Sequence, residues 1–264
     1  MIGGGKVGSI IALSLRECGA DVRVTARSRE TLERLRGLGL DASNCNKCVA
    51  TWADYIFLAV KPYQFPLVAQ EIRDHVNGKT IISVMAAIST RVLSEALPGA
   101  EIHRTMPNLN IRIRRSLTAL YSPPGAAHSE KVREMLSCFG EVYEVPEDLM
   151  DAWTAVAGSG PAIVAEFLDA FFLASLAVGL PRGIARSLVV KLIETTAQYL
   201  SAHSDLHPAE LRDEVTTPAG TTIAAIGILE GRGFKSAVIE AVRAATRRAG
   251  EIEKEIERKL LAQA

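Results

Sequence analysis

The opening Gly3-Gly-Gly-Lys-Val-Gly8 sets glycines at its first, third and sixth positions, directly behind the apolar pair Met1-Ile2. An apolar helical pattern follows to Cys18, Gly19 stops it, and residues 22–26 read as a short buried strand. Glycines so spaced between strand and helix mark a dinucleotide-binding βαβ unit. The first permits a tight turn, the second lets backbone approach a pyrophosphate, and the third lets the helix pack closely on the sheet. Gly3, Gly5, Lys6, Val7 and Gly8 are therefore candidate cofactor contacts. The strand that should lead into the glycines is reduced to Met1-Ile2. In a doubly wound sheet that strand is central, and omitting it leaves a gap of about 10 Å. The native start is accordingly expected upstream of Met1.

An Asp or Glu at the end of the second strand would hold the ribose of NAD. Here that strand runs into Thr25-Ala-Arg-Ser-Arg29, with no acid and two guanidiniums. Arg27 and Ser28 suit the 2′-phosphate of NADP, because a guanidinium fork matches phosphate geometry. NADPH is the expected cofactor, with NADH as the alternative. The competing account of the arginines is a solvated pair beside the next helix.

Farther on, residues 54–60 form a continuous apolar run ending at Val60-Lys61-Pro62. A buried parallel strand reads this way, and open α/β sheets bind ligands at the carboxyl ends of their strands. Helix 64–76, strand 80–85, helix 89–97 and strand 101–106 follow, closed by Pro107-Asn108. A hairpin-like pair, 117–121 and 142–145, flanks a helix at 129–139. This alternation predicts an α/β Rossmann-type domain over residues 1–147. From 148 to 264 nearly everything has helical period, broken by Gly and Pro pairs, so an all-α second domain is expected.

With 30 basic and 30 acidic residues, the chain offers no electrostatic case for nucleic acid or an anionic membrane. No signal peptide is visible, and four cysteines suit a reducing cytoplasm. Cys45-x-x-Cys48 lacks a second pair at zinc spacing and reads as structural; His203 and His207 straddle a helix end, so no metal is expected. The apolar stretch 155–180 has transmembrane length but carries Glu166 and Asp169 mid-run. It reads as a helix buried in the protein or against a second subunit, not as a membrane span.

Residues 211–226 contain a short amphipathic run, a break at Thr217-Pro-Ala-Gly220, and a new apolar run from Thr221-Thr222-Ile223. That break is a helix start rich in hydroxyls. Its first N–H groups lack internal partners and carry the positive end of the helix dipole, which suits a carboxylate or phosphate. An ordinary capped helix is the competing reading.

Five stretches together resemble the pyrroline-5-carboxylate reductase family. They are Gly3–Gly8, Val60-Lys-Pro62, Arg104-Thr-Met-Pro-Asn108, Ala157-Gly-Ser-Gly-Pro-Ala162 and His207–Ile223. The last is the most specific and the glycine motif the least. Two departures stand out: Ala219 occupies a position where the family usually has glycine, and Ile88 directly follows Ala86-Ala87 where a glycine is also usual. The resemblance implies a Rossmann domain and a helical domain that interleaves with a partner to form a homodimer, which can assemble further into rings. It implies a small cyclic imine carboxylate as substrate, reduced to proline by hydride from NAD(P)H. It assigns Thr217, Gly220, Thr221 and Thr222 to substrate binding, supplied across the dimer. Thr222 would supply the hydroxyl for the ring nitrogen, while Val60, Lys61, Pro62 and Asn108 would line the cofactor cleft. Two other readings stay open. One is a related imine or β-hydroxy acid reductase, for which Lys191 is the candidate general acid; the other is a non-catalytic NADP-binding protein.

Overall fold

The computed structural model describes residues 1–261. The chain divides into two compact units: Met1–Pro161 together with the chain from Ala244 onward, and Ala162–Arg243.

The first unit is built on strands β1 (Arg23–Thr25), β2 (Asp41–Ser43), β3 (Tyr55–Leu58), β4 (Thr80–Ser83), β5 (Glu101–Met106), β6 (Ser116–Tyr121) and β7 (Gly140–Glu144). Interleaved with them are helices α1 (Lys6–Glu17), α2 (Arg29–Gly37), α3 (Asn46–Trp52), α4 (Phe65–Ile72), α5 (Thr90–Ala96) and α6 (Ser129–Ser137). The strands lie in two groups, β1-β2 and β3-β4-β5-β6-β7, with every pair parallel except β5 and β6. Ile2 bridges both Thr25 and Leu58, so the gap expected from a two-residue lead strand is closed. The Ile2 amide donates to Phe57 O (2.8 Å), Ala59 N donates to Ile2 O (2.9 Å), and Thr25 N donates to Met1 O (2.9 Å). Two residues suffice because one residue in a parallel ladder can bond its neighbours on both sides.

The continuous apolar strands follow from burial on both faces. Ile56, Leu58 and Ile81 enter one core with Phe65, Ile72 and Leu93, while Phe57 and Ile82 enter the opposite core with Ile11, Leu15, Leu35 and Phe139. Adjacent residues thus serve opposite layers, as the strand period of two requires.

Two sequence readings change here. The pair expected to be hairpin-like is parallel, with Ser116 aligned to Gly140, because α6 carries the chain back across the sheet before β7 begins. Strand β2 and helix α3 were missed; the three residues of β2 are Asp-Ala-Ser, of which only Ala42 is buried, so no apolar run announces it. The four cysteines, read as suiting a reducing compartment, are joined as Cys18–Cys138 and Cys45–Cys48.

Helix α7 (Met150–Trp153) runs into a π-helical turn, Thr154–Gly158, and then α8 (Gly160–Ala177). Then come α9 (Arg182–Ala202), α10 (Pro208–Glu214), α11 (Thr221–Gly231) and α12 (Phe234–Leu261). The sequence reading places all of 148–264 in the helical domain. In the structure the later part of α12 packs on the sheet unit, with Ile252 and Ile256 against the first core; residues 262–264 lie outside the described residues. The second unit has almost no core of its own, Ala185 and Val189 being its only buried residues among those described. Phe167, Phe171, Leu173, Leu188 and Leu192 are exposed. Glu147–Ala177 is long and apolar enough to cross a membrane by length and composition.

Candidate active site

The glycine turn is shaped by contacts that leave no alternative to glycine at two of its positions. Gly3 has φ 103°, in the left-handed region, and a Cβ there would meet Ala59 backbone at 2.8 Å. A Cβ on Gly8 would lie 2.0 Å from Gly3 O, so the helix packs on the turn only without a side chain. Gly5 is different: its missing Cβ would meet nothing within 4 Å. Gly5, Lys6 and Val7 form an exposed lip at the start of α1, where the unpaired helix amides emerge. A bare backbone lip at a helix start is what a pyrophosphate needs, so these residues fit a dinucleotide.

Sequence reasoning missed the group that braces this turn. Arg34, on α2, donates from Nη2 to Gly4 O at 2.9 Å and reaches Ser9 Oγ at 3.5 Å. The Gly3 amide donates to Thr25 Oγ1 at 3.3 Å. An arginine in an amphipathic helix carries no sequence signal of such a role.

Arg27 and Ser28 lie exposed at the carboxyl end of β1, beside the turn. Ser28 also caps α2, accepting from Thr31 N at 3.2 Å, while Arg29 pairs with Glu33 at 2.7 Å. Helix capping and surface pairing therefore account for Ser28 and Arg29, and leave Arg27 as the one of the two guanidiniums without a partner among the described residues. Val60, Lys61 and Pro62 follow β3, with Lys61 exposed and its amide donating to Gln64 Oε1 (3.3 Å). Asn108 is buried: its amide donates to Ser116 Oγ (3.1 Å) and its Oδ1 accepts from Asn110 N (3.2 Å), capping the 3-10 turn Leu109–Ile113.

Arg104, in the same strand-end motif, is fully buried. It faces Glu147 Oε1 at 3.6 Å and Asp151 Oδ1 at 3.4 Å, while its Nε has no hydrogen-bond partner among the described residues. Glu147 is itself held by Thr90, through the amide (2.6 Å) and the hydroxyl (2.7 Å). Trp153 Nε1 donates to Met106 O at 3.1 Å. These bonds tie the start of the helical segment to the end of β5.

In the second unit, Gly220 is the N-cap of α11, with φ −77° and no side-chain cap. The amides of Thr221, Thr222 and Ile223 are the orphan donors of that helix start. A Cβ on Gly220 would lie 2.3 Å from Thr217 Oγ1. Ala219 holds φ 55°, a left-handed conformation for which glycine is the ordinary choice. Thr222 is half-buried, and among the described residues nothing hydrogen-bonds its hydroxyl. Lys191 is exposed and pairs with Glu194 at 3.0 Å, a surface ion pair and not a buried general acid. His203 stacks on Tyr199, and His207 Nδ1 accepts from Ala209 N as the cap of α10.

A Rossmann unit bearing a dinucleotide turn, followed by helices that leave their apolar faces uncovered, defines a nicotinamide-dependent oxidoreductase with a helical dimerisation domain. The pyrroline-5-carboxylate reductase dimerisation family matches residues 147–252, and the coenzyme F420-dependent NADP oxidoreductase family matches residues 1–87. The chain belongs to the pyrroline-5-carboxylate reductase family. It is 37% identical to the pyrroline-5-carboxylate reductase of Thermus thermophilus over 95% of this chain and 97% of that one. It is 38% identical to that of Synechocystis over 79% of each. Among solved structures, the Streptococcus pyogenes enzyme superposes with TM-score 0.89 at 28% identity, covering 95% of this chain and 96% of that one. The Plasmodium falciparum pyrroline carboxylate reductase, solved with NADP bound, gives 0.86 at 25% identity and 96% of each.

Proposed function

We propose that this chain reduces 1-pyrroline-5-carboxylate to L-proline, with NADPH as the preferred donor. The observation that carries the reading is the uncapped start of α11, where Gly220 presents free amides beside the Thr221 and Thr222 hydroxyls, in a chain that also holds a dinucleotide turn. The nicotinamide, when bound, supplies the hydride. The chain's own residues supply position and charge. The α11 amides would hold the substrate carboxylate, and Thr222 Oγ1 would hydrogen-bond the ring nitrogen, orienting it or, where the imine is still neutral, passing it a proton. Thr217 and Thr221 complete that binding surface. The imine arrives protonated or nearly so near neutral pH, so no strong general acid is needed. Gly3, Gly5, Lys6, Val7 and Gly8 would bind the pyrophosphate, Arg27 and Ser28 the 2′-phosphate, and Val60, Lys61, Pro62 and Asn108 would line the cleft beside it.

The division of labour follows the sequence reading: 1–147 for cofactor, 148–264 for dimerisation and substrate. A second copy of the chain covers the exposed apolar helices, giving a homodimer that can extend to a ring, with Glu147–Ala177 buried against protein and not lipid. The setting is the cytoplasm, as suits an enzyme of amino-acid synthesis. The test follows NADPH absorbance with racemic pyrroline-5-carboxylate for wild type and Thr222→Ala. Wild-type turnover reduced about 10²–10³-fold in a folded mutant is expected. Turnover equal in both would remove Thr222 from the chemistry, and none in either would remove the reaction.

A further inference from the structure

A groove of ≈ 490 Å³ runs along the outer face of α1, between that helix and the 3-10 turn Leu109–Ile113. Helix α1 lends it Lys6, Ser9, Ile10, Leu13, Ser14 and Glu17, one face at helical spacing. The groove meets the dinucleotide turn at Lys6 and at Arg34, which donates to Gly4 O. Glu17 stands at the far end of the helix, about 17 Å along its axis at 1.5 Å per residue.

Four cations line it, Lys6, Arg34, Arg112 and Arg114, against the one carboxylate of Glu17. In a chain whose 30 bases and 30 acids cancel, that excess is a local concentration of positive charge. Two of the four are engaged: Arg114 pairs with Glu17, and Arg34 braces the glycine turn. Lys6 and Arg112 have no acidic partner among the described residues. The chain turns at Arg114 with φ 55° and ψ 36°, a left-handed conformation that costs a non-glycine residue about 1–2 kcal/mol. Strain of this kind concentrates at functional sites. Ile10, Leu13 and the buried Ile111 form the apolar part of the floor, beside the buried Ser9 and Ser14.

We propose that this groove is a second ligand site, for a small phosphorylated molecule of nucleotide size. Arg112 would take the phosphate, since a guanidinium fork matches its oxygens and its side chain has no partner among the described residues. The apolar floor would take the body of the molecule, which inorganic phosphate lacks; the volume falls within the range of small-molecule sites. The site adjoins that of the cofactor, which takes Lys6 at the tip of α1, and extends away from it toward Arg112 and Glu17.

Titration calorimetry on the full chain, with NADP⁺ saturating, tests this using AMP, ATP and inorganic phosphate as probes. A nucleotide should bind, and Arg112→Glu should weaken it by about tenfold while leaving NADP⁺ affinity unchanged. Arg112 is exposed and its side chain has no hydrogen bond or ion pair among the described residues, so the variant should fold as wild type does. Absence of heat into the millimolar range, binding that survives Arg112→Glu, or binding that vanishes once NADP⁺ is present would overturn the site. Inorganic phosphate binding as tightly as the nucleotides would overturn the nucleotide assignment.

Discussion

At the scale of single residues, two alanines sit where the backbone asks for glycine. Ala219 has φ 55° and Ala87 φ 59°. The left-handed region costs an L-residue about 1–2 kcal/mol, and the added freedom of an unfolded glycine returns about 0.4–1 of that. Ala219→Gly should therefore stabilise the fold by about 0.5–1 kcal/mol, raising the melting temperature by about 2 °C; a fall would contradict the conformation. The sequence showed that residue 219 departs from the family's glycine but not why. For the second departure it pointed to Ile88, which is buried core, whereas the left-handed residue is Ala87. Side-chain pattern does not report φ. Invisible to pattern too is the cluster around Glu101, whose Oε1 lies 2.7 Å from His103 Nε2 and which also accepts from the amides of Ala127 and His128 (2.9 Å each). Burial alone would raise its pKa, but His103, those amides and the His128 ring outweigh burial and hold it at about 2. His103 is lowered, burial outweighing the pull of Glu101. Both groups bind fewer protons folded than unfolded, Glu101 between about 4.5 and 2 and His103 just below 6.5. Stability should hold above pH 6.5, soften as pH falls past that value, and drop further below 4.5. Glu101→Gln should cost about 1.5–3 kcal/mol at neutral pH and flatten the lower limb in urea titrations; a variant as acid-sensitive as wild type would refute the assignment.

Elements are joined by bonds that period and propensity do not announce. The β–α alternation and every long helix of the second unit were legible, because each buries or displays a continuous apolar face. The parallel pairing of β6 and β7 was not, since parallel and antiparallel partners share one alternation. Neither was the junction where β5 meets α7, although Arg104 was already part of a quoted motif. There a buried guanidinium faces Glu147 and Asp151, each side chain about a quarter exposed (24% and 23%). Removing the cation leaves Glu147, Asp151 and the nearby Glu253 without their shared counter-charge in a partly buried setting. Arg104→Met should destabilise by about 2–4 kcal/mol, toward the lower part of the range for broken buried pairs because water reaches the acids. Adding Glu147→Gln should recover part of that loss in a double-mutant cycle followed by urea unfolding. Strict additivity would mean the ion pair contributes nothing.

For the molecule as a whole, the imbalance between the two units governs what the chain must do in solution. The sheet unit buries two apolar layers and can stand on them. Ala162–Arg243 buries only Ala185 and Val189 among its described residues while exposing Phe167, Phe171, Leu173, Leu188 and Leu192. Helices with apolar residues on nearly every side are stable in water only when something covers them. For a chain in a family defined by a dimerisation domain, the proposed covering surface is a second copy, since self-complementary faces can close into a two-fold pair. Phe171 stacks on Phe167 with ring centroids 5.9 Å apart and is 40% exposed, so it offers two-fifths of its surface outward. Phe171→Asp should shift sedimentation from dimer toward monomer at micromolar concentration, the buried charge costing several kcal/mol at the interface. Far-ultraviolet ellipticity should fall with the helices that lose their cover, and reductase activity should fall with it, because the proposed substrate surface on α11 is completed across the pair. Cofactor binding should persist, since the glycine turn and its brace lie wholly in the sheet unit. A variant that stays dimeric would move the interface elsewhere, and a monomer with full activity would place the whole reaction within one chain.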